Sequence, residues 1–165
     1  MSEKQTQNEH IKALAIEVCE IEGRECWIVP HPMRGNTHMR GLCGLNGYAV
    51  YPKRPLREQG YGGVVTYVPV HGGITYAEED ALGMVYGFDT GHCDSDSFPL
   101  EDPDWIKEQL SYMIRGIAVA AEVEAEYLLA STNEEKAALC DRICKAQPEQ
   151  WRNMGTMINL LCGRL

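Results

Sequence analysis

The chain has no Cys-x-x-Cys pair, no acidic residue between Cys26 and Arg57, and no apolar run of membrane-spanning length. A spanning helix needs about 20 consecutive apolar residues, so a helical membrane protein is excluded. Met1 to Asn8 is polar and mixed in charge, without a secretory or transit pattern, which predicts a cytoplasmic protein. Seven cysteines are an odd number, and their scatter argues against both a disulfide framework and a zinc ribbon. Cys140 and Cys144, four apart on an expected helix, read as small apolar residues on a buried face rather than as metal ligands. Cys19, Cys26 and Cys162 take the same reading, and all seven are expected to be reduced thiols.

At 165 residues the chain is long enough for one domain with its own core. Apolar residues make up 44% and charged ones 24%, which is ordinary soluble usage and excludes global disorder. The net charge of −9 disfavours stable nucleic-acid binding. That charge is uneven. The acid-free stretch carries Arg34, Arg40, Lys53, Arg54 and Arg57, while Glu122, Glu124, Glu126, Glu134, Glu135 and Asp141 lie toward the C-terminus. Each cluster is either a solvated face or, for the basic one, a mouth for a small anionic ligand. The glycines and histidines around Arg34 and Arg40 favour the mouth.

Ile11, Leu14, Ala15, Val18 and Cys19 form a helical stripe, predicting a helix over residues 8–21 that ends at Gly23. Strands are expected at 25–30, at 42–51 and over the β-branched run 64–70. Asp102 as N-cap with Pro103 behind it opens a long helix to about Ala130, with a stripe at Ile106, Leu110, Met113, Ile114, Ile117 and Ala121. Ser131 and Glu134 suggest a capping box for a second helix to about Ala146, and Pro148 starts a third reaching Leu161. The expectation is a single α+β domain. An antiparallel sheet of about four strands with an N-terminal helix (1–101) packs against C-terminal helices (102–165). Those helices also offer a surface for homo-oligomerisation.

Two motifs carry candidate chemistry: His71-Gly72-Gly73-Ile74-Thr75-Tyr76 and Gly87-Phe88-Asp89-Thr90-Gly91-His92-Cys93-Asp94. Glycine beside histidine and aspartate in a strand-like run marks a bulge or a close approach of ligand to backbone. A hairpin turning at Glu79-Asp80-Ala81 sets His71 against Asp89, Gly73 against Gly87 and Thr75 against Val85. One face then holds His71, Thr75, Asp89 and two glycines. The other holds Ile74, Tyr76, Met84, Tyr86 and Phe88.

His71, Asp89 and His92 are the candidate catalytic group, a carboxylate orienting an imidazole base. With Asp94 they also match a metal ligand set, though the spacing is no known signature. As a binding site, Arg34, His38, Arg40, Gly72, Gly73, Thr75, Asp89 and His92 would surround a small anion. The loop with His31, Arg34, His38 and Arg40 would form the opposite wall. Cys43 is a conceivable nucleophile beside these cations, and more simply a buried strand residue. The plainest alternative is that His71 and Asp89 are a pair that merely holds the hairpin.

His71 to Thr75 and Gly87 to His92 resemble the His-Gly-Gly-[Leu/Ile]-Thr and Gly-Phe-Asp-x-x-His-x-x-Asp motifs of a family of small bacteriophage-encoded proteins. Cys43-Gly44, Gly47-Tyr48 and Pro52 resemble the part that precedes them, and Asp94, followed by Ser95-Asp96, is the acidic residue nearest the motif's second acidic position, which falls on Ser95. The resemblance covers about Met33 to Tyr127 and implies a helical C-terminal part, but brings no settled activity or cofactor. Together with the acid-free basic stretch and the glycine floor, a phage origin makes the expectation a phage accessory protein of the host cytoplasm that binds a small anionic, nucleotide-derived ligand, by analogy of context with small phage proteins that sequester host-defence signals. The alternative is a metal-assisted hydrolase of a phosphodiester or related bond. A protein-interaction module is the third possibility.

Overall fold

The computed structural model describes residues 5–36, 38, 43–57, 63–92 and 98–145. The fold is α+β: five antiparallel strands in the N-terminal half, then helices. Helix α1 (Gln7–Ala13) is followed by β1 (Glu17–Ile21), β2 (Arg24–Pro30), β3 (Leu45–Tyr51), β4 (Tyr76–Asp80) and β5 (Gly83–Phe88), then α2 (Pro103–Leu129) and α3 (Asn133–Cys144). The strand order is β1-β2-β3-β5-β4. The chain divides into two compact units, Met1–Arg54 with Val70–Ser111, and Pro55–Pro69 with Tyr112–Leu165.

The expected helix over 8–21 is corrected to a short helix and an edge strand. A capping box between Thr6 and Glu9 opens α1, which closes at Leu14. Glu22 (φ 51°) and Gly23 (φ 71°) then form a two-residue turn that pairs β1 with β2, so Gly23 serves a hairpin rather than a helix end. Pairing with β2 outweighs the helical stripe. The fifth strand, absent from the sequence expectation, is this β1.

The β-branched run 64–70 is likewise not a strand. Residues Val64–Tyr67 form a 3₁₀ turn, with Thr66 N–H donating to Gly63 O and Val68 N–H to Val65 O. Pro69, lacking an N–H, fits this irregular path better than a ladder. In that same unit Glu124, expected on a solvated face, is buried and accepts Arg57 N–H through both carboxylate oxygens at 2.8 and 2.9 Å.

Helix α2 starts as expected, with Asp104 N–H donating to Asp102 Oδ1 at 3.0 Å. Its buried stripe includes Ile106, Leu110, Met113, Ile114 and Ile117, with Ala120 in place of Ala121. The box of α3 lies one residue later than expected, between Thr132 and Glu135. The third expected helix, from Pro148 to Leu161, lies outside the described residues.

One face of the sheet carries Trp27, Val29 and Val85, packed with Ile11 of α1 and flanked by Tyr48, Val50 and Tyr76. Each fully buried side chain of this size stabilises the unit by about 1.5–3 kcal/mol. The other face presents Ile28, Ala49, Met84, Tyr86 and Phe88, all buried. The first turns of α2 reach it through Leu110, which lies beside Gly47.

The hairpin register differs from expectation. Tyr76 opposes Gly87, Glu79 opposes Met84, and the turn falls at Ala81-Leu82. Asp80 Oδ1 accepts Leu82 N–H at 2.8 Å, and Gly83 supplies φ 115°, which fixes the turn later in the chain. An odd shift exchanges faces, so Tyr76 lies with Val85 and Gly87, apart from Met84, Tyr86 and Phe88.

Candidate functional site

The two glycine motifs do meet, though not as a polar hollow across a strand pair. His71 lies in a turn before β4 and is 2% exposed. Its ring meets Phe98 at 4.8 Å, Trp105 at 5.3 Å and His92 at 5.4 Å, all edge-on. The backbone N–H of His71 donates to Gln109 Oε1 at 3.0 Å. His71 is thus part of an aromatic group, where edge contacts add about 0.5–1.5 kcal/mol each.

Most of the motif glycines admit a neighbour of the same unit rather than open a cleft. A Cβ at Gly72 (φ 70°) would fall 1.8 Å from His92 Nε2. One at Gly87 would fall 2.4 Å from Tyr48 Cδ1, and one at Gly47 would fall 2.5 Å from Phe88 Cε1. Gly47 opposes Phe88 and Tyr48 opposes Gly87, so two adjacent rungs of β3–β5 each place an aromatic ring over a glycine. Gly73 (φ 82°) has nothing within 4 Å of its Cβ position and remains open.

Three titratable groups gather around Gly91. Asp89 Oδ1 accepts Gly91 N–H at 2.8 Å and lies 3.7 Å from His92 Nε2. A Cβ on Gly91 would lie 3.0 Å from His31 Nε2 and 3.2 Å from Asp89 Oδ1, so those atoms flank one glycine. His31 Nδ1 accepts Met33 N–H at 3.0 Å, which leaves the proton of a neutral ring on Nε2, the atom facing this group. The side chains of Asp89 and His92 are 31% and 26% exposed, so both are partly open to solvent, while His92 Nε2 itself is buried.

The frame is hydrogen-bonded. Asp89 N–H donates to Thr75 Oγ1 at 3.1 Å, Thr90 N–H to Asn46 Oδ1 at 3.2 Å, and Gly44 N–H to Thr90 Oγ1 at 2.9 Å. Thr75 therefore holds the Asp89 backbone. Cys43 is buried, and burial followed by the Asp89 carboxylate pushes its thiol up, so it is no activated nucleophile.

The basic wall is only partly present among the described residues. Arg34 makes two contacts with Glu101, Nε to Oε1 at 3.1 Å and Nη2 to Oε2 at 2.5 Å. His38 is exposed, its N–H donating to Asn36 Oδ1. Arg40, Cys93 and Asp94 lie outside the described residues. Among the described residues no group of three or more His, Cys, Asp or Glu side chains is placed to hold a metal ion.

Sequence spacing linked His71, Asp89 and His92. It did not pair His31 with Asp89, since the two are joined only by the fold of the loop after β2. Nothing in the sequence marked Gln109, Phe98 or Trp105. No protein-family model, curated protein or solved structure matches the chain.

Proposed function

We propose that the chain is a phage accessory protein that binds a small anionic, nucleotide-derived ligand at the His31–Asp89–His92 rim. The supporting observation is the placing of Asp89 Oδ1 on the Gly91 amide, near His92 Nε2 and across Gly91 from His31. With its proton on Nε2, His31 offers a hydrogen-bond donor at this rim, and Arg34 of the same loop offers positive charge for a phosphate. Arg34, three residues after His31, is held by an exposed ion pair worth about 0–1 kcal/mol, so an incoming phosphate competes for it. The open Gly73 backbone offers further approach. Sequestration of a host-defence signal in the host cytoplasm is what the phage resemblance adds. No helix of the described residues is long and apolar enough to cross a membrane.

A second reading, hydrolysis of a phosphodiester or related bond, draws on the same 3.7 Å approach of Asp89 to His92. There His92 takes a proton from water and Asp89 orients the ring.

Native mass spectrometry of the purified protein, followed by calorimetric titration with nucleoside monophosphates and cyclic dinucleotides, tests both readings. His31→Gln and His92→Gln should each weaken it about tenfold or more, on the scale of a lost charge-assisted hydrogen bond. Product formation abolished by Asp89→Asn would establish the hydrolase. Equal binding by wild type and the double glutamine variant would end both readings.

A further inference from the structure

The β1–β2 hairpin brings together two thiols that the candidate site does not use. Cys19 and Cys26 are directly opposed in the register, and both are free. Opposed residues of an antiparallel pair have Cα atoms about 4.5–5.5 Å apart. That separation lies inside the span of about 4.4–6.8 Å that a disulfide bridges. Their side chains leave the same face, and the two-residue turn at Glu22-Gly23 holds the register. The two differ in access: Cys19 is half-buried on an edge strand, while Cys26 is fully buried on the next.

We propose that Cys19 and Cys26 form a reversible cross-strand dithiol–disulfide couple, oxidised by low-molecular-weight disulfides. The accessible Cys19 thiolate attacks one sulfur of the disulfide RSSR, forming a mixed disulfide and releasing one thiolate, which takes up a proton. The Cys26 thiolate then attacks the Cys19 sulfur, closing the bridge and releasing the second thiolate, which is also protonated. The two protein thiols give up two electrons and two protons, and RSSR becomes two RSH.

Burial, then the charge of Cys19, pushes Cys26 up to about 12. Capping of Cys19 in the mixed disulfide removes the second cause and eases the closing step. The first cause remains and makes closure slow at neutral pH. The bridge ties the edge strand to its neighbour, so it reports and resists fraying of β1.

The test incubates the full-length protein across a series of oxidised-to-reduced glutathione ratios, followed by acid quench, alkylation under denaturing conditions and tryptic mass spectrometry. Cleavage after Arg24 puts the two cysteines on separate peptides, so a bridge appears as a joined pair lighter by two hydrogens. The joined pair is expected to be the first protein disulfide to form and to reverse on adding reduced glutathione. Cys26→Ser should stall at glutathionylated Cys19, and Cys19→Ser should leave residue 26 unmodified. Another cysteine pair bridging first, or stable glutathionylation of wild-type Cys19 with Cys26 still alkylated, would overturn the proposal. The wild-type digest decides the point even if the Cys26 variant fails to fold.

Discussion

Alanine at position 72 should move a histidine, whereas alanine at position 73 should not. Both glycines have positive φ, 70° and 82°, so each alanine carries a similar backbone penalty of about 1–2 kcal/mol. They differ in what the new methyl meets. At Gly73 nothing lies within 4 Å, but at Gly72 the His92 Nε2 would lie at 1.8 Å, about half the contact distance of about 3.5 Å. The ring has a way out, since the His92 side chain is 26% exposed. Leaving forfeits its edge contact with His71, worth about 0.5–1.5 kcal/mol, and its approach to Asp89.

Gly72→Ala should therefore cost about 2–3 kcal/mol in urea unfolding and Gly73→Ala about 1–2. In the His92→Ala background the extra cost of Gly72→Ala should vanish, a coupling that a double-mutant cycle reads directly. The imidazole NMR signals of His92 should shift in Gly72→Ala and stay in place in Gly73→Ala. Equal losses from both alanines, with the His92 signals unmoved, would refute the assignment of Gly72 as the seat of that ring.

Two further outcomes follow from the junction of α1 with β4. Asn8, 1% exposed, accepts Tyr76 O–H at 2.6 Å and donates to Glu78 O at 3.4 Å, so Asn8→Ala should lower stability by about 1–3 kcal/mol in the same denaturant assay. Burial, then the charges of Glu78, Tyr48 and Asp80, pushes Tyr76 up to about 12. The folded state then keeps a proton that the unfolded chain releases near the usual tyrosine value of about 10, so stability should fall as pH rises from about 10 to about 12. Tyr76→Phe should flatten that alkaline limb, and an unchanged limb would count against the Tyr76 assignment.

Helix α2 was legible because its signals are local: Asp102, Pro103 and a stripe of spacing three and four. Strand β1 was not, because Val18 and Cys19 suit a helical stripe until β2 is available as a partner. Its turn signal was Glu22-Gly23, where only one of the two positive-φ residues is a glycine. The capping box of α3 slipped by one because Ser131 and Thr132 are followed by Glu134 and Glu135, two overlapping boxes. For the site, the nearness of Asp89 to His92 is a matter of three residues and could be read directly. The place of His71 depended on register, and a shift of three residues took it out of the strand pair and into an aromatic group. The glycines advertised close approach correctly, but the approaching groups are His92, Tyr48 and Phe88. Each of these contacts spans many residues of sequence and is invisible without the ladder.

Among the described residues the two margins of the sheet, β1 and β4, differ in how well each would accept another strand. At one margin β4 carries Glu78, Glu79 and Asp80 in succession, and that run of like charge discourages another strand. No strand among the described residues lies beyond β1. Two copies joined through β1 would form a ten-stranded ribbon ending in β4 at both margins. Such a pairing uses up both β1 edges, so a fibre through this edge has no third member to recruit.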